Sequence, residues 1–112
     1  MTENDVGEPL IELAEIDRGI VQTILRDHVP ELEVWAFGSR ATHSAKPYSD
    51  LDLVLITTTP LPLSRMADLN YAFESSDLPI KVDVVDWATT SSHFRGIISA
   101  NKVVIQSRQD RI

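Results

Sequence analysis

Asp50-Leu51-Asp52-Leu53-Val54-Leu55-Ile56-Thr57 starts in strict alternation of carboxylate and leucine and ends continuously apolar. A strand reads this way when its first half borders an open cleft and its second half is buried on both faces. Successive side chains of a strand point to opposite faces, so Asp50 and Asp52 share one side of a sheet. Two carboxylates held there repel each other and lose hydration, and a cation between them relieves both effects. Magnesium takes oxygen ligands in octahedral geometry and binds through a few carboxylates together with substrate phosphates. The plainer alternative is a pair of solvated edge residues, and an Asp-x-Asp alone does not decide between the two.

Working outward, two further features belong with it. Upstream, Glu33-Val34-Trp35-Ala36-Phe37 is short, aromatic and β-branched and ends at Gly38-Ser39-Arg40, a strand followed by a turn. Glycine lets backbone approach a phosphate closely. N–H groups at the start of a following helix favour negative charge, the Ser39 hydroxyl can donate to a phosphate oxygen, and Arg40 adds fixed positive charge. A short helix over residues 40–44, capped by Ser39, and a turn at Lys46-Pro47-Tyr48-Ser49 complete the link to Asp50. Downstream, residues 80–85 read as a strand with Asp83 between Val82 and Val84. An aspartate there is costly unless it is paired or bound to metal. If its strand neighbours that of Asp50, three carboxylates can hold two ions about 4 Å apart, the arrangement for in-line displacement at phosphorus. Asp83 is then the candidate to take the proton of an attacking hydroxyl. Taken singly, Gly38-Ser39 could be an ordinary turn, and Asp83 could pair with Lys81 or Arg95. Their order and placement together point to nucleotide chemistry.

The rest of the chain supplies helices. Residues 10–29 place Leu10, Leu13, Ile16, Ile20, Ile24 and Leu25 at helical spacing, between Pro9 near the start and Pro30 after the end. A second helix is expected over residues 64–75, with Met66, Leu69, Tyr71 and Phe73 apolar. A third, capped by Ser91 or Ser92, runs through Ile97 and Ile98, and residues 103–105 suit a last short strand. The order is α, β, short α, β, α, β, α, β, an α/β (α+β) pattern within one domain, residues 1–112. With 112 residues the chain can bury one modest core. The absence of cysteine excludes disulfides, thiolate metal sites and a cysteine nucleophile. Residues 1–8 are polar and acidic, without the basic start and apolar run of an export signal, and a cytoplasmic protein with no membrane contact is expected. A net charge of −7 argues against direct nucleic-acid binding and suits a basic partner protein, or simply solubility.

Gly38-Ser39, ten intervening residues, then Asp50-Leu51-Asp52 resembles the signature of the DNA polymerase beta-like nucleotidyltransferase superfamily. Phe37-Gly38-Ser39-Arg40-Ala41 and Ser49-Asp50-Leu51-Asp52-Leu53 are similar to its minimal nucleotidyltransferase (MNT) branch, and Asp83 in Val82-Asp83-Val84-Val85 matches the third carboxylate. The resemblance implies a nucleotidyltransferase palm: a small mixed, curved β-sheet with helices packed on one face. It implies ATP as substrate and Mg2+, two ions, as cofactor. Many MNT proteins are antitoxins that bind a HEPN-domain ribonuclease toxin and transfer AMP to a tyrosine hydroxyl of it. The implied roles are nucleotide binding for Gly38, Ser39 and Arg40, and metal binding and catalysis for Asp50, Asp52 and Asp83, with Asp83 as base. Many relatives carry an arginine and a glycine where this chain has Thr42 and His43.

Larger members of the superfamily add a domain that holds the acceptor, and 112 residues leave no room for one. The acceptor must come with a partner, so a hetero-oligomer with the toxin or a homo-oligomer is expected. Two other readings stand beside this one: an antitoxin that acts by covering its toxin without catalysis, and a nucleotidyltransferase acting on a small molecule or an RNA end. Trp35 is read as core, Trp87 as packing or a partner contact, Tyr48 as a turn residue, and His28, His43 and His93 as surface. Asp86, three residues past Asp83, falls on the opposite strand face and is left out of the site.

Overall fold

The computed structural model describes residues 11–108. Its strands are β1 Glu33–Phe37, β2 Leu51–Ile56, β3 Val82–Asp86 and β4 Val103–Gln106, and its helices are α1 Glu15–His28, α2 Leu63–Glu74 and α3 Ser92–Ala100. One sheet has the order β3-β2-β1-β4. β1 runs antiparallel to both β2 and β4, while β2 and β3 are parallel. The parallel pair needs a crossover, which α2 provides. The sheet is therefore mixed, as expected.

Alternation along the strands divides the sheet into two faces. Val34, Ala36, Leu51, Leu53 and Leu55 point to one face and meet Val21 and Leu25 of α1 and Leu69 and Phe73 of α2 in the main core. Trp35, Phe37, Asp52 and Asp83 point to the other. The expectation of helices on one face describes α1 and α2. The third helix lies over the second face, where Phe94 packs edge-on against Phe37 at 5.7 Å between ring centroids. Val54 and Ile98 are fully buried yet stand outside the main core cluster, which explains why the second half of β2 reads as apolar on both sides.

Helix α1 begins later than the prolines suggest; Pro9 and Leu10 lie outside the described residues. Ile11 is buried, and the Glu12 N–H donates to the Arg40 carbonyl at 2.7 Å, which commits this backbone to a partner outside any helix. The face of α1 also differs. Its apolar residues form two adjoining rows, and only Val21 and Leu25 are fully buried against the core. Ile16 is 79% exposed, and with Ile20, Ile24 and Ala72 it lines a groove between α1 and α2. On α2, Leu69 and Phe73 are buried as expected, whereas Tyr71 is exposed.

The short helix expected after Ser39 is instead a run of turns. The N–H groups of Ala41 and Thr42 both donate to the Gly38 carbonyl, and Ser44 N–H reaches the Ser39 carbonyl at 2.9 Å. His43 takes a left-handed backbone with φ 60, which ends any helical progression. Side chains pin the remaining joints. Gln106 Nε2 donates to the carbonyls of Val29 and Leu32, tying β4 to the end of α1. Arg65 forks onto Glu31 and the His28 carbonyl, tying α2 to the same joint. Asp86, facing the main core, accepts from Thr57 Oγ1, from Leu61 N–H at 2.7 Å and from Ala88 N–H at 3.1 Å, and so fixes the connections that follow β2 and β3.

Candidate active site

The candidate carboxylates gather at one end of the sheet, where β1 finishes and β2 and β3 begin. Asp52 pairs in register with Asp83 on one side and with Phe37 on the other. In-register neighbours on adjacent strands lie about 4.8 Å apart and face the same way. Asp50 immediately precedes β2 and is exposed. Burial raises the Asp52 carboxyl above its ordinary range, and the negative charges of Asp83 and Asp50 add to the shift. Asp83 is less enclosed than an aspartate in an apolar strand was expected to be. It lies on edge strand β3 with its side chain 46% exposed, and Lys81 Nζ stands 3.5 Å from its Oδ1. The ion pair anticipated as the plainer role for Asp83 therefore exists, but on the surface, where such pairs are weak.

Among the described residues, no three side chains already converge into a metal-binding cluster. The donor set nevertheless fits a hard divalent cation. Its donors are all oxygens, and burial together with the neighbouring negative charges raises Asp52, a response a cation would reverse. Ligands from phosphates and water would close such a site, as magnesium usually requires.

Gly38 is fixed by the same carboxylate. Its φ is +78, and a Cβ added there would run into Asp52 Oδ2 and lie 3.3 Å from Asp52 Cγ. No other residue fits both the backbone and the approach. The Ser39 hydroxyl is half-buried and has no hydrogen-bond partner among the described residues, so it is free to meet a ligand.

Arg40 corrects the sequence reading. It was expected beside a phosphate, but it is buried, with all three guanidinium nitrogens donating to backbone carbonyls: Nε to Ser49, Nη2 to Pro47 and Nη1 to Glu12. A guanidinium committed in this way is a framework element of the loop that leads to Asp50. Glu12 is its unforeseen partner, because nothing in the local pattern links two residues so far apart in the chain.

The remaining candidates sort by place. His43 and His93 are exposed and His28 is half-buried on α1. Tyr48 stands 89% exposed at the tip of the turn before Asp50. Trp35 is not in the main core: it packs edge-on against Trp87 at 5.3 Å, with Lys102 Nζ 3.8 Å from its ring centroid. Asp86 is buried on the opposite face from Asp83 and is occupied by the hydrogen bonds described above.

The model of the polymerase beta nucleotidyltransferase family matches residues 20–111, most of the chain. The chain belongs to the polymerase beta nucleotidyltransferase family. A family member from Haemophilus influenzae, named a probable protein adenylyltransferase, MntA, is 47% identical over 102 residues, which cover 91% of this chain and 90% of that protein. The fold of this nucleotidyltransferase also superposes on a toxin–antitoxin crystal structure with AMP-PNP, at a TM-score of 0.68, 22% identity and coverage of 82% of this chain and 74% of that one. A second match is a Shewanella oneidensis complex of an MNT antitoxin with a tri-AMPylated HEPN toxin, at a TM-score of 0.63, 20% identity and coverage of 85% and 73%. At that level of identity both structures speak for the fold.

Proposed function

We propose that this nucleotidyltransferase is an antitoxin that transfers AMP from ATP to a tyrosine hydroxyl of a cognate HEPN ribonuclease toxin, and thereby neutralises it. The observation that carries the chemistry is the register pairing of Asp52 with Asp83, beside Asp50 and under Gly38. The near relative named as a protein adenylyltransferase supports a protein acceptor.

Asp50, Asp52 and Asp83 would hold Mg2+, which when bound supplies positive charge to the triphosphate. The free Ser39 hydroxyl and the tight Gly38 backbone orient the phosphates. The tyrosine oxygen attacks the α-phosphorus of ATP, the bond between the α- and β-phosphates breaks, and pyrophosphate leaves. Asp83 accepts the phenolic proton. It is the solvent-reaching member of the Asp52–Asp83 pair and borders the open edge from which an acceptor can approach. Most of the rate gain is electrostatic, from groups already in place before charge develops.

ATP labelled at the α-phosphate should leave label on the partner protein, and ATP labelled at the γ-phosphate should not. Label from the γ-position would make the protein a kinase and sink the assignment. A partner that is bound and neutralised without α-label would favour the non-catalytic antitoxin.

A further inference from the structure

We infer that Arg40 is a positioning residue that sets the placement of Asp50, an inference that rests on reading Asp50 as a metal ligand. Of the three carboxylates, Asp52 and Asp83 are fixed by the ladder between β2 and β3, while Asp50 lies outside any strand. The sheet side ties only the peptide that follows it, through the Leu51 N–H to the Lys81 carbonyl at 2.9 Å, so the peptide that precedes it must be held by something else. The peptide immediately before Asp50 is held by Arg40, whose Nε donates to the Ser49 carbonyl at 3.1 Å.

The same guanidinium reaches two more carbonyls, Pro47 at 3.2 Å and Glu12 at 2.7 Å. Glu12 closes the clamp from the far side. Its N–H donates to the Arg40 carbonyl at 2.7 Å, and its Oε1 accepts from Ala45 N–H at 3.3 Å. Within the loop, Ser49 N–H donates to the Lys46 carbonyl and Lys46 N–H to Ser49 Oγ, so the turn is tight in itself. Arg40 anchors that turn to the segment before α1. Its planar fork serves three carbonyls in different directions, which the single point of a lysine ammonium cannot do. Groups that orient a metal ligand without touching the metal govern affinity strongly when lost.

The test measures Mn2+ binding to the full chain by electron paramagnetic resonance, with AMP-PNP present, for the wild type, Arg40→Lys, Arg40→Gln, Glu12→Ala and Asp50→Ala, after circular dichroism has confirmed folding. Arg40→Lys and Arg40→Gln should bind Mn2+ about tenfold more weakly or worse, in the direction of Asp50→Ala. Glu12→Ala should move the same way by less, and AMP-PNP affinity at saturating metal should stay unchanged. Unchanged Mn2+ affinity in the folded Arg40 variants overturns the inference. So does a loss confined to AMP-PNP affinity, which would make Arg40 a phosphate contact. If neither Arg40 variant folds in buffer, the same titration of the two variants folded in trimethylamine N-oxide decides, and wild-type affinity there overturns the inference. Asp50→Ala binding like the wild type removes the metal-ligand premise and the inference with it. Because the readout is binding, a protein that holds Mn2+ and AMP-PNP but transfers no AMP refutes the proposed function while leaving this inference measurable.

Discussion

Gly38 and Asp52 hold each other in place, and substitution of the glycine tests that relation. Gly38→Ala puts a side chain in the left-handed region and drives its methyl into the Asp52 carboxylate. Such strain is worth about 1–3 kcal/mol, and a shift of about 1 Å in a reacting group slows catalysis by roughly a hundredfold. The variant should melt earlier in a thermal scan and lose at least about a hundredfold in AMP transfer; wild-type activity would show that the contact is unimportant. Asp52 makes a separate prediction through pH. Its carboxyl is raised in the folded chain, chiefly by burial. A raised carboxyl contributes stability that is complete below its unfolded-state pKa and is lost as pH rises through the folded value. Without metal, Asp52→Asn should therefore melt above the wild type near neutral pH. The gap should close below the ~3.9 of an ordinary aspartate. Added magnesium should raise the wild type and leave Asp52→Asn nearly unmoved. A variant less stable than the wild type at neutral pH would contradict the assigned cost of the buried charge.

At the scale of elements, the turn after β1 and the end of β3 separate what the sequence shows from what it hides. The strands were legible because period-two alternation and turn residues are local signals, and the aspartates stood out against apolar neighbours. The turn after Gly38 was misread as a helix because Ser39-Arg40-Ala41 suits a helical start, while the left-handed His43 that stops it has no clear signature. Glycine carries no Cβ penalty at that positive φ, so His43→Gly should relieve strain. A gain of about 1 kcal/mol is expected in urea unfolding, and a loss would mean that the histidine side chain has a stabilising contact. The two aspartates of β3 divide structure from chemistry. Asp86→Ala leaves Leu61 N–H and the Thr57 hydroxyl without their buried acceptor and should reduce stability by about 3 kcal/mol, with activity per folded molecule retained. Asp83→Ala should do the reverse: near-normal unfolding, and transfer reduced by about a hundredfold or more. Equal activity losses in the two folded variants would erase the distinction.

Across the whole molecule, what the sequence could not show were relations between distant parts. Helical spacing grouped Ile16, Ile20 and Ile24 with Leu25, but which of them meet the sheet depends on how the helix is docked: Leu25 is buried beside Val21, which was not in that group, Ile24 packs against the edge of the core and Ile16 stays exposed. Arg40 beside a Gly-Ser turn looked like a phosphate contact until Glu12 and Ser49 were seen around it. The three carboxylates survive as a group because the parallel pairing of β2 with β3 joins them, and that pairing is what a strand–helix–strand order favours. The resulting molecule has a carboxylate-bearing end, and the proposed function places the nucleotide there. Under the proposed function the acceptor belongs to a partner protein. Intact-mass spectrometry of the cognate toxin, after incubation with this protein, ATP and magnesium, tests that claim directly. The toxin should gain the mass of one or more AMP groups, and an Asp50→Ala/Asp52→Ala double variant should leave it unmodified. A toxin that forms a stable complex yet gains no mass, or gains it equally with the double variant, would contradict the account.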